Sequence, residues 1–224
     1  MANTHSLDLE ASSSQYASIT DASQTGLDIT GDITIEAWIK LESDSSSYSI
    51  VSKQDGSENG YALTYQGGSN DRFVFGVSGT NKLSYTTLST ETWYHIASVY
   101  DASAGTNDIY VNGVALTRMT GLPTSITDTT ADFKFGKSPY GGYFDGLIDE
   151  VRVWNDIRTV TEIADNYERE LVGNEANLQG YWRLNNNYLD ETSNNNDLTA
   201  SGSPVFSTDV PFTTANTGAF FAFF

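Results

Sequence analysis

Cysteine is absent from this 224-residue chain, so neither a disulfide framework nor a thiolate zinc site is available to it. Basic residues are scarce. Eleven Lys and Arg against 29 Asp and Glu leave a formal charge of −18, which repels phosphate backbones and argues against nucleic acid as a partner. Solubility of a surface rich in Asp, Asn, Ser and Thr accounts for that charge ahead of divalent-cation binding. No apolar run reaches the ~18 residues of a membrane span, so no membrane insertion is expected. No Asn-x-Ser/Thr acceptor occurs. The start, Met1-Ala2-Asn3-Thr4-His5, lacks the basic and apolar regions of a signal peptide and reads as a mature form or an excised module. Catalytic signatures are also missing. The two histidines come without a Ser-His-Asp pattern, and Gly76-Val77-Ser78-Gly79 does not fit a nucleophile elbow, because the second glycine follows the serine directly.

What the chain does have is alternation, the period of a strand with one face in a core. In Asp32–Leu41 one parity holds Ile33, Ile35, Ala37, Ile39 and Leu41, which predicts the core face. In Thr92–Asp101 both parities are largely apolar, as in a central strand covered on both sides, so His95 is expected to be a satisfied core histidine. Asn112-Gly113 between two apolar blocks predicts a type I′ hairpin, whose central residues both need positive φ. Gly67-Gly68-Ser69-Asn70 predicts a looser one. One helix is expected: Thr159 and Glu162 form a capping-box pattern, and Val160, Ile163, Ala164, Tyr167 and Leu171 fall on one helical face.

Four blocks carry a family likeness: Ile35-Glu36-Ala37-Trp38, Thr92-Trp93-Tyr94-His95, Tyr110-Val111-Asn112-Gly113 and Gly146-Leu147-Ile148-Asp149-Glu150-Val151-Arg152-Val153-Trp154. In this order they resemble the laminin-G-like, concanavalin A-like lectin-glucanase jelly roll. The resemblance implies an all-β, two-sheet antiparallel jelly-roll sandwich with one short helix. Residues 1–212 would form it, with 173–212 as closing strands, followed by an uncharged, Phe-rich tail at 213–224. It also implies an extracellular or cell-surface protein of bacterial exported type. In such curved, loop-covered sheets Trp38 reads as a structural aromatic. Hydrolases of this fold carry a Glu-x-Asp-x-x-Glu strand. No such run occurs here, Glu36 stands alone, and Asp149 and Glu150, being adjacent, should point to opposite faces, so no enzyme is expected.

Asp149 shares its parity with Leu147, Val151 and Val153, which would aim its carboxylate inward unless a bulge re-aims it, and a buried carboxylate needs a cation or several donors. The resemblance implies a structural calcium ion held by Asp149 with Asp8 or Glu10. The alternative is a salt bridge from Asp149 to Arg152 or Arg183. Downstream, Asp190, Asn194, Asn196 and Asp197 lack the spacing of a calcium loop and predict a hydrogen-bonded turn.

Two functions fit a non-catalytic chain. One is recognition or adhesion through a glycan or a surface protein, with Tyr48, Tyr140, Tyr143 and Tyr188 as candidate ligand-binding aromatics. The alternative is a self-assembling subunit, a homo-oligomer joined through Phe220, Phe221, Phe223 and Phe224, because four phenylalanines in the last five residues favour burial by roughly 1.5–3 kcal/mol each.

Overall fold

The computed structural model describes residues 2–44, 47–68 and 71–213. In chain order the strands are β1 (Ser6–Leu9), β2 (Tyr16–Ile19), β3 (Ile33–Leu41), β4 (Ser47–Gln54), β5 (Gly60–Gln66), β6 (Arg72–Val77), β7 (Thr80–Tyr85), β8 (Trp93–Asp101), β9 (Thr106–Val111), β10 (Val114–Ala115), β11 (Met119–Thr120), β12 (Phe133–Phe135), β13 (Gly146–Trp154), β14 (Leu178–Trp182), β15 (Thr199–Ser201) and β16 (Val205–Ser207). Among the described residues a single α-helix, α1 (Val160–Asn166), follows β13. The first sheet runs β10-β9-β8-β3-β13-β1-β16, with β11 paired to β9 and β14 to β13. The second runs β15-β2-β12-β4-β5-β6-β7. The chain is thus the expected antiparallel sandwich, and its late strands close both sheets: β14 pairs with β13, β15 with β2 and β16 with β1.

Alternation decides what lies between the sheets. Ile33, Ile35, Ala37, Ile39 and Leu41 of β3 meet Tyr61, Leu63 and Tyr65 of β5 and Phe73, Phe75 and Val77 of β6 in one core. Asn112 and Gly113 have φ of 49° and 76° and join β9 to β10, as the type I′ turn requires.

The two outer faces differ, and the difference positions the functional surface. Over the first sheet, Ile163 of α1 packs on Ala97 and Val99 of β8, while Leu171 joins Trp154, Leu178 and Tyr181. Phe212 meets Trp38 edge-on at 6.2 Å. The capping box forms as expected, with the Thr159 hydroxyl accepting from Glu162 N and the Glu162 carboxylate accepting from Thr159 N. The helix is shorter than its pattern: it ends at Asn166, Val160 is exposed, and Leu171 reaches the core from the following loop. Past Asn166 the backbone carbonyls turn to side chains of the sheet instead of to the next helical turn, which stops the helix. The second sheet, by contrast, carries a broad open groove.

Candidate functional site

The pleat that sends Tyr61, Leu63 and Tyr65 inward sends Ala62, Thr64 and Gln66 outward, and the ladder register aligns these with the outward residues of the neighbouring strands. Three transverse rows result: Ser52, Ala62, Gly76 and Asn81; then Ser49, Thr64, Val74 and Leu83; then Ser47, Gln66, Arg72 and Tyr85. A groove of about 460 Å³ lies over them, walled by the loop from Ser138 to Gly142. Its polar groups are pre-oriented. Ser49 and Thr64 hydroxyls lie 3.1 Å apart, and Arg72 Nε donates to Gln66 Oε1 at 2.8 Å. At the Gly76 end, Asn81 Nδ2 donates to Glu58 Oε2 at 3.1 Å. Tyr140 hangs over this groove, 62% exposed. Its hydroxyl pKa is pushed up to about 12, first by partial loss of water and then by its hydrogen bond to Glu58 and that carboxylate's charge.

Of the four candidate tyrosines, Tyr140 alone is a described side chain lining the groove. Tyr143, on the same loop, turns away toward Tyr16, and the Lys137 ammonium lies 4.2 Å over the Tyr16 ring and 5.4 Å over the Tyr143 ring. Tyr188 packs on Phe206 at 4.9 Å and on the core, apart from the groove. The Tyr48 side chain and Phe220, Phe221, Phe223 and Phe224 lie outside the described residues. Sequence reasoning passed over the serines, Gln66, Arg72 and Asn81, although alternation in β4 to β7 contained the signal.

Beneath the covered face of the first sheet lies a buried polar network that alternation misplaced. Between Asp149 and Arg152 the ladder with β3 slips by one residue, and Glu150 takes a left-handed φ of 50°. This bulge moves Asp149 off the core parity. Val151 and Val153 face the core, while Asp149 and Glu150 both turn to the outer side and are buried there. Asp149 is therefore neither inward-facing nor opposed to Glu150, and it makes neither expected salt bridge. Arg152 Nη2 goes to Glu150 Oε2 at 3.0 Å, and Arg183 Nη1 lies 3.4 Å from Glu191 Oε2. Asn3 Nδ2 and Glu150 N occupy Asp149 instead, at 2.6 and 3.0 Å. Burial and the neighbouring Glu150 push the Asp149 carboxyl well above its ordinary range. Glu150 rises to about 7 through burial, against the pull of Arg152 and the Tyr181 hydroxyl.

Glu36 is not alone either. It accepts from Trp154 Nε1 at 2.8 Å, and its other oxygen is 3.3 Å from His95 Nε2. His95 is buried as expected but is not the satisfied histidine that was expected: neither ring nitrogen has a hydrogen-bond partner, and Nε2 meets Glu36 only through that 3.3 Å electrostatic contact. Trp38, also as expected, is structural: it lies 5.6 Å from His95 and donates to the Tyr167 carbonyl at 2.8 Å.

The candidate metal ligands separate. Asp8 and Glu10 come together with Glu42, each offering an oxygen within 4.8 Å of the others, and Asp149 does not join them. The donor set fits a hard cation, which takes carboxylate oxygens. Asp8 Oδ1 is buried without a hydrogen-bond partner. Burial raises the Asp8 carboxyl against the influence of Lys40, and burial together with Asp8 and Glu10 raises Glu42. The Asp190 turn is hydrogen-bonded as expected: its carboxylate accepts from Tyr181 N, Thr192 N, Thr192 Oγ1 and Asn196 N.

A family model described as the concanavalin A-like lectin/glucanases superfamily matches residues 11–164, and the chain belongs to that superfamily. No curated protein matches it. Among solved structures it is similar to a candidate carbohydrate binding protein from Bacteroides ovatus ATCC 8483, with 21% identity and a TM-score of 0.74 over 95% of this chain. It spans 62% of that protein. It is also similar to the heptameric SAP-like pentraxin of Limulus polyphemus, with 14% identity and a TM-score of 0.68 over 92% of this chain and 95% of the pentraxin. A third likeness is to the enzymatically active domain of tailspike protein 2 from bacteriophage CBA120, with 17% identity and a TM-score of 0.57 over 80% of this chain and 29% of that one. At these identities the likeness shows the fold, which serves binding proteins and enzymes alike. No helix among the described residues is long and apolar enough to cross a membrane.

Proposed function

We propose that this chain is a non-catalytic, exported or cell-surface module that binds a glycan in the groove over the second sheet. The observation that carries the reading is the groove itself. Hydroxyls and amides in register rows can hydrogen-bond sugar hydroxyls, while Ala62, Val74 and Gly76 leave a low floor and Tyr140 supplies an exposed ring. Its volume suits a slender ligand better than a protein surface, which needs a contact of about 1,000 Å². The likeness to a candidate carbohydrate binding protein supports the same class. Against catalysis, glycoside hydrolysis needs two carboxyls flanking the bond, and Glu36, Asp149 and Glu150 are buried under the cover of the first sheet. A structural calcium ion is assigned to the Asp8, Glu10 and Glu42 group, where it would neutralise the Asp8 and Glu42 carboxylates, which burial disfavours as charged.

Glycan-array screening followed by calorimetry on the full chain tests the reading. Wild type should bind at least one oligosaccharide, and Tyr140→Ala should weaken that binding about tenfold with the melting midpoint unchanged, since stacking contributes on the order of 1 kcal/mol. A blank array, or binding indifferent to Tyr140, would overturn it.

A further inference from the structure

The chain is crowded with carboxylates, about one residue in eight, yet none of the fifteen described residues lining the groove is Asp or Glu. The single charged residue among them is Arg72. At 0.15 M salt the field of the remaining surface decays over ~8 Å, so the groove's local charge decides which ligand it favours. That charge is polarised along the groove. Arg72 shares its row with Gln66 and Tyr85, whereas Glu58 stands at the other end, bonded to Asn81 and Tyr140. Arg72 and Gly76 are four residues apart on β6, which separates the two ends by ~13 Å at ~3.3 Å per residue, more than a single sugar ring occupies.

We infer that the groove takes an acidic oligosaccharide, with the carboxylate of a uronic- or sialic-acid-type sugar at Arg72 and a neutral ring against Tyr140. This rests on the reading of the groove as a glycan site and adds its charge class and direction. The guanidinium is a planar fork suited to a carboxylate, and Gln66 Oε1, accepting from Nε, fixes its orientation. At the opposite end Glu58 disfavours a second acid, so a ligand charged at one end fits in one direction only.

The test compares matched probes by calorimetry at constant ionic strength, each acidic member carrying one carboxylate at one end: xylotriose bearing a single terminal glucuronate against plain xylotriose, and sialyllactose against lactose. A charge-assisted contact predicts that the acidic member of at least one pair binds about tenfold tighter than its neutral partner. Arg72→Gln should abolish that preference, lowering affinity for the acidic member by the larger factor, and Arg72→Lys should keep part of it. Tyr140→Ala should weaken both members alike. Equal binding within both pairs, or an acidic preference that survives Arg72→Gln, overturns the inference and leaves the groove reading standing. No binding by any of these probes overturns the inference, while the broad array decides the groove reading separately.

Discussion

Trp154 donates its indole N–H to Glu36 at 2.8 Å across 118 residues of chain, pinning one oxygen of a carboxylate that is 2% exposed. Burial opposes the Glu36 charge, but His95, Arg152 and Trp154 together hold its pKa below the ordinary range. His95 moves down as well. Burial pushes its pKa below 6.5, and the Glu36 carboxylate restores only part of the loss.

From this pair follows a pH dependence of stability. As pH falls through about 6.5, the unfolded chain takes up a proton at His95 before the folded chain does, so His95 contributes stability above that pH which is lost on acidification. The limiting slope is ~1.4 kcal/mol per pH unit. Glu150, raised from 4.5 to about 7, acts in the opposite sense over much of the same range, because its burial is tolerated better when protonated. The difference between wild type and His95→Gln isolates the histidine. Denaturant midpoints from pH 7.5 to 5 should fall more steeply for wild type than for the variant; parallel curves would show that His95 does not titrate as its burial requires.

Arg152 holds the cover of the first sheet in place. Its Nη1 donates to the Asn166 carbonyl at 2.9 Å and its Nη2 to the Arg169 carbonyl at 2.5 Å, while Nη2 also meets Glu150. Arg152→Met should cost ~3–5 kcal/mol, because it leaves Glu150 without its buried countercharge. The 166–171 segment should become the first site of limited proteolysis. Unchanged stability in urea would mean that the segment is held by Ile163 and Leu171 alone.

The sandwich was legible because its strands obey a period of two, and the I′ turn because Asn112-Gly113 demands positive φ at both positions. Asp149 was misplaced for a physical reason. One residue added at Glu150 shifts every later side chain on β13 relative to simple alternation, and nothing local in the Asp-Glu pair signals a left-handed φ. The groove was half legible. Tyr140 stands out as an aromatic in a loop, but the rows of Ser49, Thr64, Gln66 and Arg72 emerge only when the register between strands is known.

Gly76 offers a test of the groove that spares the fold. A Cβ there would stand 2.6 Å from Asn81 Oδ1 and 3.1 Å from Gln54 Nε2, both flexible side-chain ends, and valine suits a strand. Gly76→Val should therefore abolish glycan binding by filling the floor, with stability changed by no more than ~1 kcal/mol. Retained binding in the folded variant would place the ligand elsewhere.

Calcium binding can be located by the opposite signs of two substitutions. Without the ion, Asp8→Asn relieves repulsion from Glu42 and Asp145 and should raise the melting midpoint slightly. With the ion present it removes a ligand and should lower the midpoint relative to wild type. Wild type should gain ~2.7 kcal/mol when calcium stands a hundredfold above its dissociation constant, and a chelator should reverse the gain. Asp149→Asn should leave that gain intact, because both Asp149 oxygens already accept hydrogen bonds from Asn3 and the Glu150 backbone. If the gain instead survives Asp8→Asn and vanishes in Asp149→Asn, the ion sits beside Asp149, where Asn3 Oδ1 and Glu150 Oε1 are buried oxygens without hydrogen-bond partners. A midpoint indifferent to calcium in all three proteins would exclude both positions and leave the raised Asp8 and Glu42 carboxyls to be settled by protonation.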